Sequence, residues 1–219
     1  MITAGIASIP ERSKSLEKVL DSLVGQVDEV FLVLNYGDEE APDYLTKYSN
    51  VWWVISDNSQ GDAMKFSMAH IPNQVYLGCD DDIIYPSGYA EYMVAGIKKW
   101  EGLVSLHGRD YPRPITSFKN WIMNHRCLGN IEYDWWQVDM IGSGCCAFDT
   151  NKLKVSLEYF NTKNMADLWL SKLATEQNIP MIVLAHAKDY LTYIPQINTI
   201  WRSTRDYSEH TKILQSFIK

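Results

Sequence analysis

The chain has 219 residues, of which 46% are hydrophobic and 21% charged, and its formal net charge is −7. This is the composition of an ordinary soluble protein with enough chain for one full core, or at most two small ones. The acidic balance argues against a general nucleic-acid surface and against binding to anionic membranes, while a local basic pocket for phosphate stays open.

Four cysteines, with Cys145 and Cys146 adjacent, give neither a zinc spacing nor a secreted disulfide framework, so reduced thiols in the cytoplasm are expected. The opening "MITAGIASIPER" lacks the basic flank and long apolar core of a signal peptide. No apolar run reaches the ~20 residues that span a bilayer, so no membrane span is expected.

Strand signals alternate with helical ones along the chain. "ITAGIASI" is short, apolar and β-rich. In "ERSKSLEKVLDSLVGQ", Leu16, Val19, Leu20, Leu23 and Val24 recur at i, i+3, i+4, which predicts a helix that Gly25 closes. "VDEVFLVLN" reads as a fully buried strand and "VWWVISD" as another. "GDAMKFSMAHI" reads as a short helix ending before Pro72, "QVYLGCDDD" as the next strand and "PSGYAEYMVAGIKKWEG" as the next helix. This alternation implies βαβ units and a mostly parallel sheet covered on both faces, an α/β fold in a single domain. Ligands of such sheets bind at the carboxyl ends of the strands, which puts the loops after Ala7, Leu34, Ile55 and Gly78 on one rim.

The second half is less regular. "GLVSLHGRDYPRPI" reads as a strand leading into a proline-rich loop, and "SFKNWIMNHRCLGNIEYDWWQ" as a long loop or partial hairpin. "VDMIGSGCCAFDT" is a strand whose glycines permit close backbone approach. "NMADLWLSKLATEQN" carries Met165, Leu168, Trp169 and Leu173 on one helical stripe, and "IPMIVLAH" is a further buried strand. The last segment, with Trp201, Arg202 and Arg205, reads as a polar tail.

The informative stretch is Asp80, Asp81 and Asp82, three consecutive carboxylates at the end of a buried strand on the expected rim. Like charges that close raise one another's pKa unless solvent or a cation neutralises them. A solvated turn is the plain reading. A divalent-metal site is the sharper one, since Mg²⁺ and Mn²⁺ prefer carboxylate oxygen.

In order, "AGIASIPERSKSLEKVLDSL", "GDAMKF", "DDD", "VDMIGSGCCAF" and "ADLWLSKLA" resemble the motifs of a GT-A glycosyltransferase of the family-2 type, over roughly the whole chain. The length and short N-terminus also resemble a viral capsid or bacterial surface-glycan glycosyltransferase domain, which implies a cytoplasmic location, that of the host if the chain is viral. The resemblance implies a Rossmann-like GT-A domain with a nucleotide-sugar half at about 1–105 and an acceptor half at about 106–219. It implies a nucleotide-sugar donor, UDP-linked by preference, Mn²⁺ or Mg²⁺, a glycan or glycoprotein acceptor, and inversion at the anomeric centre.

By the same resemblance Asp80 and Asp82 hold the metal, with Asp80 and Asp81 also facing the nucleotide. Ala7, Ser8, Ile9, Pro10 and Arg12 border the nucleotide, although Arg12 reads equally as an exposed charge on the first helical turn. Asp57 resembles the acid that reads the uracil edge, or is a turn aspartate. The family often has an acid at the end of the second strand, where this chain has Asn35. Lys65 reaches a phosphate or is a solvated helix lysine. Asp167 matches the catalytic base, or merely favours a helix N-terminus. His186 completes the metal shell or is structural. Gly144 floors the acceptor pocket, with Trp135 or Trp136 stacking on the acceptor sugar. Two rival readings are a nucleotidyltransferase, which usually has a glycine-rich basic loop after the first strand, and a non-catalytic carbohydrate-binding domain.

Overall fold

A computed structural model describes residues 1–197 and 199–218. The first strand, β1 (Ile2–Ser8), is followed by a 3₁₀ turn at Pro10–Arg12 and helix α1 (Ser13–Leu23). Leu16, Val19, Leu20 and Leu23 of α1 are all fully buried, as their spacing requires. Each such burial contributes roughly 1.5–3 kcal/mol before entropy is subtracted. Strands β2 (Glu29–Leu34) and β3 (Val51–Ile55) come next, then a 3₁₀ segment at Gly61–Phe66 and strand β4 (Val75–Cys79). Strand β5 (Ile83–Ile84), helix α2 (Tyr89–Trp100) and strand β6 (Leu103–Ser105) complete the first half.

The second half contains β7 (Gly108–Asp110), β8 (Met123–His125), β9 (Trp135–Trp136), β10 (Met140–Ile141) and β11 (Cys145–Asp149). Helix α3 (Ala166–Glu176), strands β12 (Met181–Val183) and β13 (Thr192–Tyr193), and helices α4 (Ile200–Ser203) and α5 (Ser208–Phe217) follow.

The main sheet has eight strands in the order β3-β2-β1-β4-β11-β6-β12-β9. Strands β3, β2, β1 and β4 are mutually parallel, β11 runs against them, and β6 and β12 are parallel to each other. The chain steps outward from β1 to β2 and β3, then returns to the other side of β1 as β4. That reversal opens a crevice at the carboxyl ends of β1 and β4, where open α/β sheets bind ligands.

Alternation along β4 divides the core. Leu77 packs with α1 and α2 on one face, while Tyr76 joins Phe66, Phe148 and the α3 residues Leu170 and Leu173 on the other. Gly5, in the middle of β1, is required by this packing: a Cβ there would collide with the Lys65 carbonyl and the Tyr76 hydroxyl.

Several segments depart from the sequence expectations: "VDMIGSGCCAFDT" is two strands in different sheets, β10 and β11, and the helical turn of "GDAMKFSMAHI" is 3₁₀ and limited to Gly61–Phe66. Strand β3 is present but is an edge strand, with Val51 buried and Trp52, Trp53, Val54 and Ile55 exposed. An apolar run identifies a strand without saying whether another layer covers it. The polar tail is instead largely helical: His210, Ile213, Leu214 and Phe217 of α5 are buried, the last three in a third core cluster with Tyr111, Phe118 and Leu168. Their i, i+3, i+4, i+7 spacing carried that signal. Among the described residues no helix is long and apolar enough to cross a membrane. All four cysteines are free.

Candidate active site

The carboxyl ends of β1, β2 and β4, the 142–144 loop before β11, the start of α3, and residues from 193–197 and 199–210 border a cavity of about 1060 Å³. Its size suits a nucleotide-sized ligand with room for a second reactant. Ala7, Ser8, Ile9 and Arg12 line it from the first loop. Lys65, Gly144 and Asp167 also line it, as do all three aspartates of the triplet.

The triplet is compensated within the protein. Arg12 Nη1 donates to Asp81 Oδ1 (2.6 Å) and to Asp82 Oδ2 (2.9 Å). Lys65, itself buried, forms an ion pair with Asp80 and lies 3.4 Å from Ser143 Oγ. The guanidinium of Arg12 therefore rests on the carboxylates and is not the exposed charge of the alternative reading. Burial, with the charges of Asp80 and Asp81, still pushes Asp82 up to about 7 against the pull of Arg12 and Lys65. Burial likewise raises Asp81.

Gly144 serves Asp80 by having no side chain, because a Cβ on it would overlap the Asp80 carboxylate. The Gly144 carbonyl accepts from the Asp80 backbone N–H (3.2 Å) and from the Tyr85 hydroxyl (2.5 Å).

Asp167 stands in the first turn of α3, but its carboxylate turns away from its own helix. Its Oδ1 accepts from Ser143 N (2.7 Å) and from Ser143 Oγ (2.5 Å). The start of α3 is instead met by Asp62, whose Oδ2 accepts from Ala166 N at 3.4 Å. The other Asp62 oxygen is buried without a partner. Burial, with Asp167 and Asp80 nearby, pushes the Asp62 carboxyl up to about 6 despite Lys65. The sequence drew attention to Lys65 in "GDAMKF" but not to Asp62, because its position is set by burial and not by any motif.

Other expected residues stand apart from the cavity. Pro10 and Asp57 do not line it; the exposed Asp57 carboxylate accepts from Ser59 N (2.9 Å) in a local turn, and its neighbour Asn58 faces the cavity instead. Asn35, at the end of β2, does line it. His186 follows β12, three strands across the sheet from β4, a lateral step of roughly 14 Å. Its ring nitrogens face the Leu184 carbonyl (2.9 Å) and the Arg126 carbonyl (3.3 Å), so it serves the chain and not the triplet. Trp135 and Trp136 form the far edge strand β9, one step further still; both are exposed and neither lines the cavity. Of the tail residues, Trp201 and Arg202 line the cavity and Arg205 does not. The tail reaches this rim because β13 pairs with β5 and Ile194 N donates to the Asp82 carbonyl (2.7 Å).

The acidic rim suits a hard divalent cation in one respect: crowded carboxylates with raised pKa gain from a cation that replaces the proton. Among the described residues, no three His, Cys, Asp or Glu side chains are grouped to hold an ion by themselves. Mg²⁺ and Mn²⁺ sites built on one or two carboxylates take their remaining ligands from water and substrate phosphate. The residues fit a cation shared with a ligand.

No protein-family model matches the chain, and no curated protein matches it in sequence. Solved structures do match in fold. Staphylococcus aureus TarS in complex with UDP-GlcNAc superposes with a TM-score of 0.61 at 16% identity, over 97% of this chain and 64% of that one. The 4-diphosphocytidyl-2C-methyl-D-erythritol synthase of Anaerococcus prevotii superposes with a TM-score of 0.54 at 15% identity, over 99% of this chain and 97% of that one. The chain thus has the α/β fold of GT-A-like proteins, built on a large, mostly parallel central sheet.

Proposed function

We propose that the chain is a metal-dependent glycosyltransferase that moves a sugar from a nucleotide-sugar, UDP-linked by preference, to a glycan or glycoprotein acceptor with inversion. The observation that carries this reading is the placement of Asp80, Asp81 and Asp82 in one cavity with Asp167, whose carboxylate is fixed by Ser143 and not by its own helix. Asp80 and Asp82 would hold Mn²⁺ or Mg²⁺, which acts as a Lewis acid for the departing nucleoside diphosphate. Lys65 holds Asp80 in place, and Gly144 leaves it room. Asp167 takes the proton of the acceptor hydroxyl as that oxygen attacks the anomeric carbon and the bond to the diphosphate breaks.

A nucleotidyltransferase is the second reading, favoured by the full-length superposition on the Anaerococcus synthase. Against it, the glycine of "AGIASIPER" is Gly5, which is committed to packing inside β1 and is not part of a phosphate loop. A non-catalytic carbohydrate-binding domain would have no use for an aspartate oriented as Asp167 is.

Thermal melting with UDP-sugars, UDP and nucleoside triphosphates, each with Mn²⁺ or chelator, tests these readings. A nucleotide-sugar at 100 times its Kd should raise the melting temperature by about 5–10 °C, and only with Mn²⁺. Equal shifts in chelator would overturn the metal-dependent reading. Release of pyrophosphate from a triphosphate, with no UDP released from a UDP-sugar, would favour the second reading.

The effect of Mn²⁺ should also depend on pH. Asp82 is raised in the folded state, so without a cation the protein loses stability as pH climbs from about 4 toward 7. A cation must displace that proton, so its apparent affinity in the presence of UDP should weaken about tenfold per pH unit below 7 and level off above it. Calorimetric titration at pH 5.5, 6.5, 7.5 and 8.5 reads this directly, and a flat profile would remove Asp82 from the cation site.

A further inference from the structure

The same cavity holds a cation with different surroundings. Arg109, on β7, is nine-tenths buried and lines the cavity. Its Nε donates to Asn124 Oδ1 (3.3 Å), and the Tyr111 hydroxyl lies beside it. Its guanidinium carbon is 5.5, 5.1 and 5.4 Å from the ring centres of Phe118, Trp121 and Trp201. No carboxylate lies within ion-pair distance of it among the described residues. The contrast with Arg113 is plain: that more exposed arginine holds both oxygens of Asp139, at 2.9 and 2.6 Å.

An arginine stays charged at any pH the protein meets, and a buried charge without a counter-ion is costly. Three ring faces offset part of that cost. They leave the rest to whatever enters the cavity.

Asp167 acts on the charge of Tyr111 and His210, which lie on the Arg109 side, and also on that of Asp62 and Lys65, on the triplet side. It lines the same cavity as Arg109 and the triplet and lies within electrostatic reach of residues around both.

We propose that Arg109 and its aromatic collar form an anion subsite for the acceptor, so that the acceptor is a sugar bearing a phosphate or carboxylate group. This rests on the transferase reading above. The collar supplies flat apolar surface for the sugar ring, and the guanidinium supplies a fork of donors for the anionic group.

The test is saturation-transfer and titration NMR on the full chain with glucose, glucose 6-phosphate and glucuronic acid, alongside calorimetry with UDP and Mn²⁺. The wild type should bind at least one of the two anionic sugars about tenfold or more tighter than glucose, the gain of a charge-assisted hydrogen bond. Arg109→Met should abolish that preference with UDP affinity unchanged, and Arg109→Lys should retain part of it. A wild type that binds all three sugars alike overturns the proposal without recourse to any variant. So does an Arg109→Met protein that melts normally and loses UDP affinity, since Arg109 would then serve the donor diphosphate. If UDP fails to bind the wild type with or without Mn²⁺, it is the transferase reading that fails. The sugar comparison then decides the anion subsite alone.

Discussion

Asp167→Asn is expected to lower the turnover of sugar transfer by about 10²–10⁴-fold while leaving the affinity for UDP and Mn²⁺ unchanged. The sequence left two roles open, a catalytic base and a charge that favours the helix N-terminus; Asp167 stands in the first turn of α3 and its hydrogen bonds run to Ser143. An aspartate capping its helix would place its oxygens on the first free N–H groups, and the N-cap residue Met165 makes no side-chain cap bond either. Asp167 instead reaches back to the 142–144 loop, where Ser143 gives it two short hydrogen bonds on one oxygen. The amide of Asn can still accept the Ser143 backbone N–H through its own oxygen, so the loop should stay in place. It cannot take a proton from an incoming hydroxyl. The loss should therefore appear in kcat and not in donor KM. Single-turnover transfer at saturating donor, with calorimetry of UDP binding, measures both terms. Unchanged turnover would reassign Asp167 to holding Ser143 and leave the base unidentified.

The first half of the fold was legible because local pattern and global role agree there. The stripe of α1 has only one sheet face to cover, and "QVYLGC" ends at the crevice because β4 is the strand that returns beside β1. The aspartate triplet stood out for the same reason, since repulsive charge at a strand end needs a cause. That cause was only half visible. Arg12 and Lys65 are 70 and 15 residues from their carboxylate partners, and nothing local links them. His186 shows the opposite failure: it does follow a strand, but lateral distance across the sheet depends on strand order, which periodicity does not encode. Arg109 was out of reach of any motif, because β7, the segment 118–121 and α4 build its collar from separate parts of the chain.

Gly144→Ala is expected to weaken cation-dependent UDP binding by about 10–100-fold, although it adds a single methyl group and touches no ligand. A Cβ at this position overlaps Oδ2 and Cγ of Asp80. The conflict can be relieved in two ways. Either the Asp80 carboxylate rotates away, breaking its ion pair with Lys65, or the 142–144 loop lifts. The second route breaks the bonds that the Gly144 carbonyl accepts from Asp80 N and Tyr85 Oη. Overpacking of this kind costs about 1–3 kcal/mol of stability, so the variant should fold but melt lower. Gly25→Ala supplies the control: a Cβ there meets nothing within 4 Å, and both melting and UDP binding should match the wild type. The comparison distinguishes a general loss of stability from displacement of Asp80. A Gly144→Ala protein that melts lower yet binds UDP and Mn²⁺ with full affinity would mean that the position of the Asp80 carboxylate does not matter to the cation. Asp82 would then have to act without it.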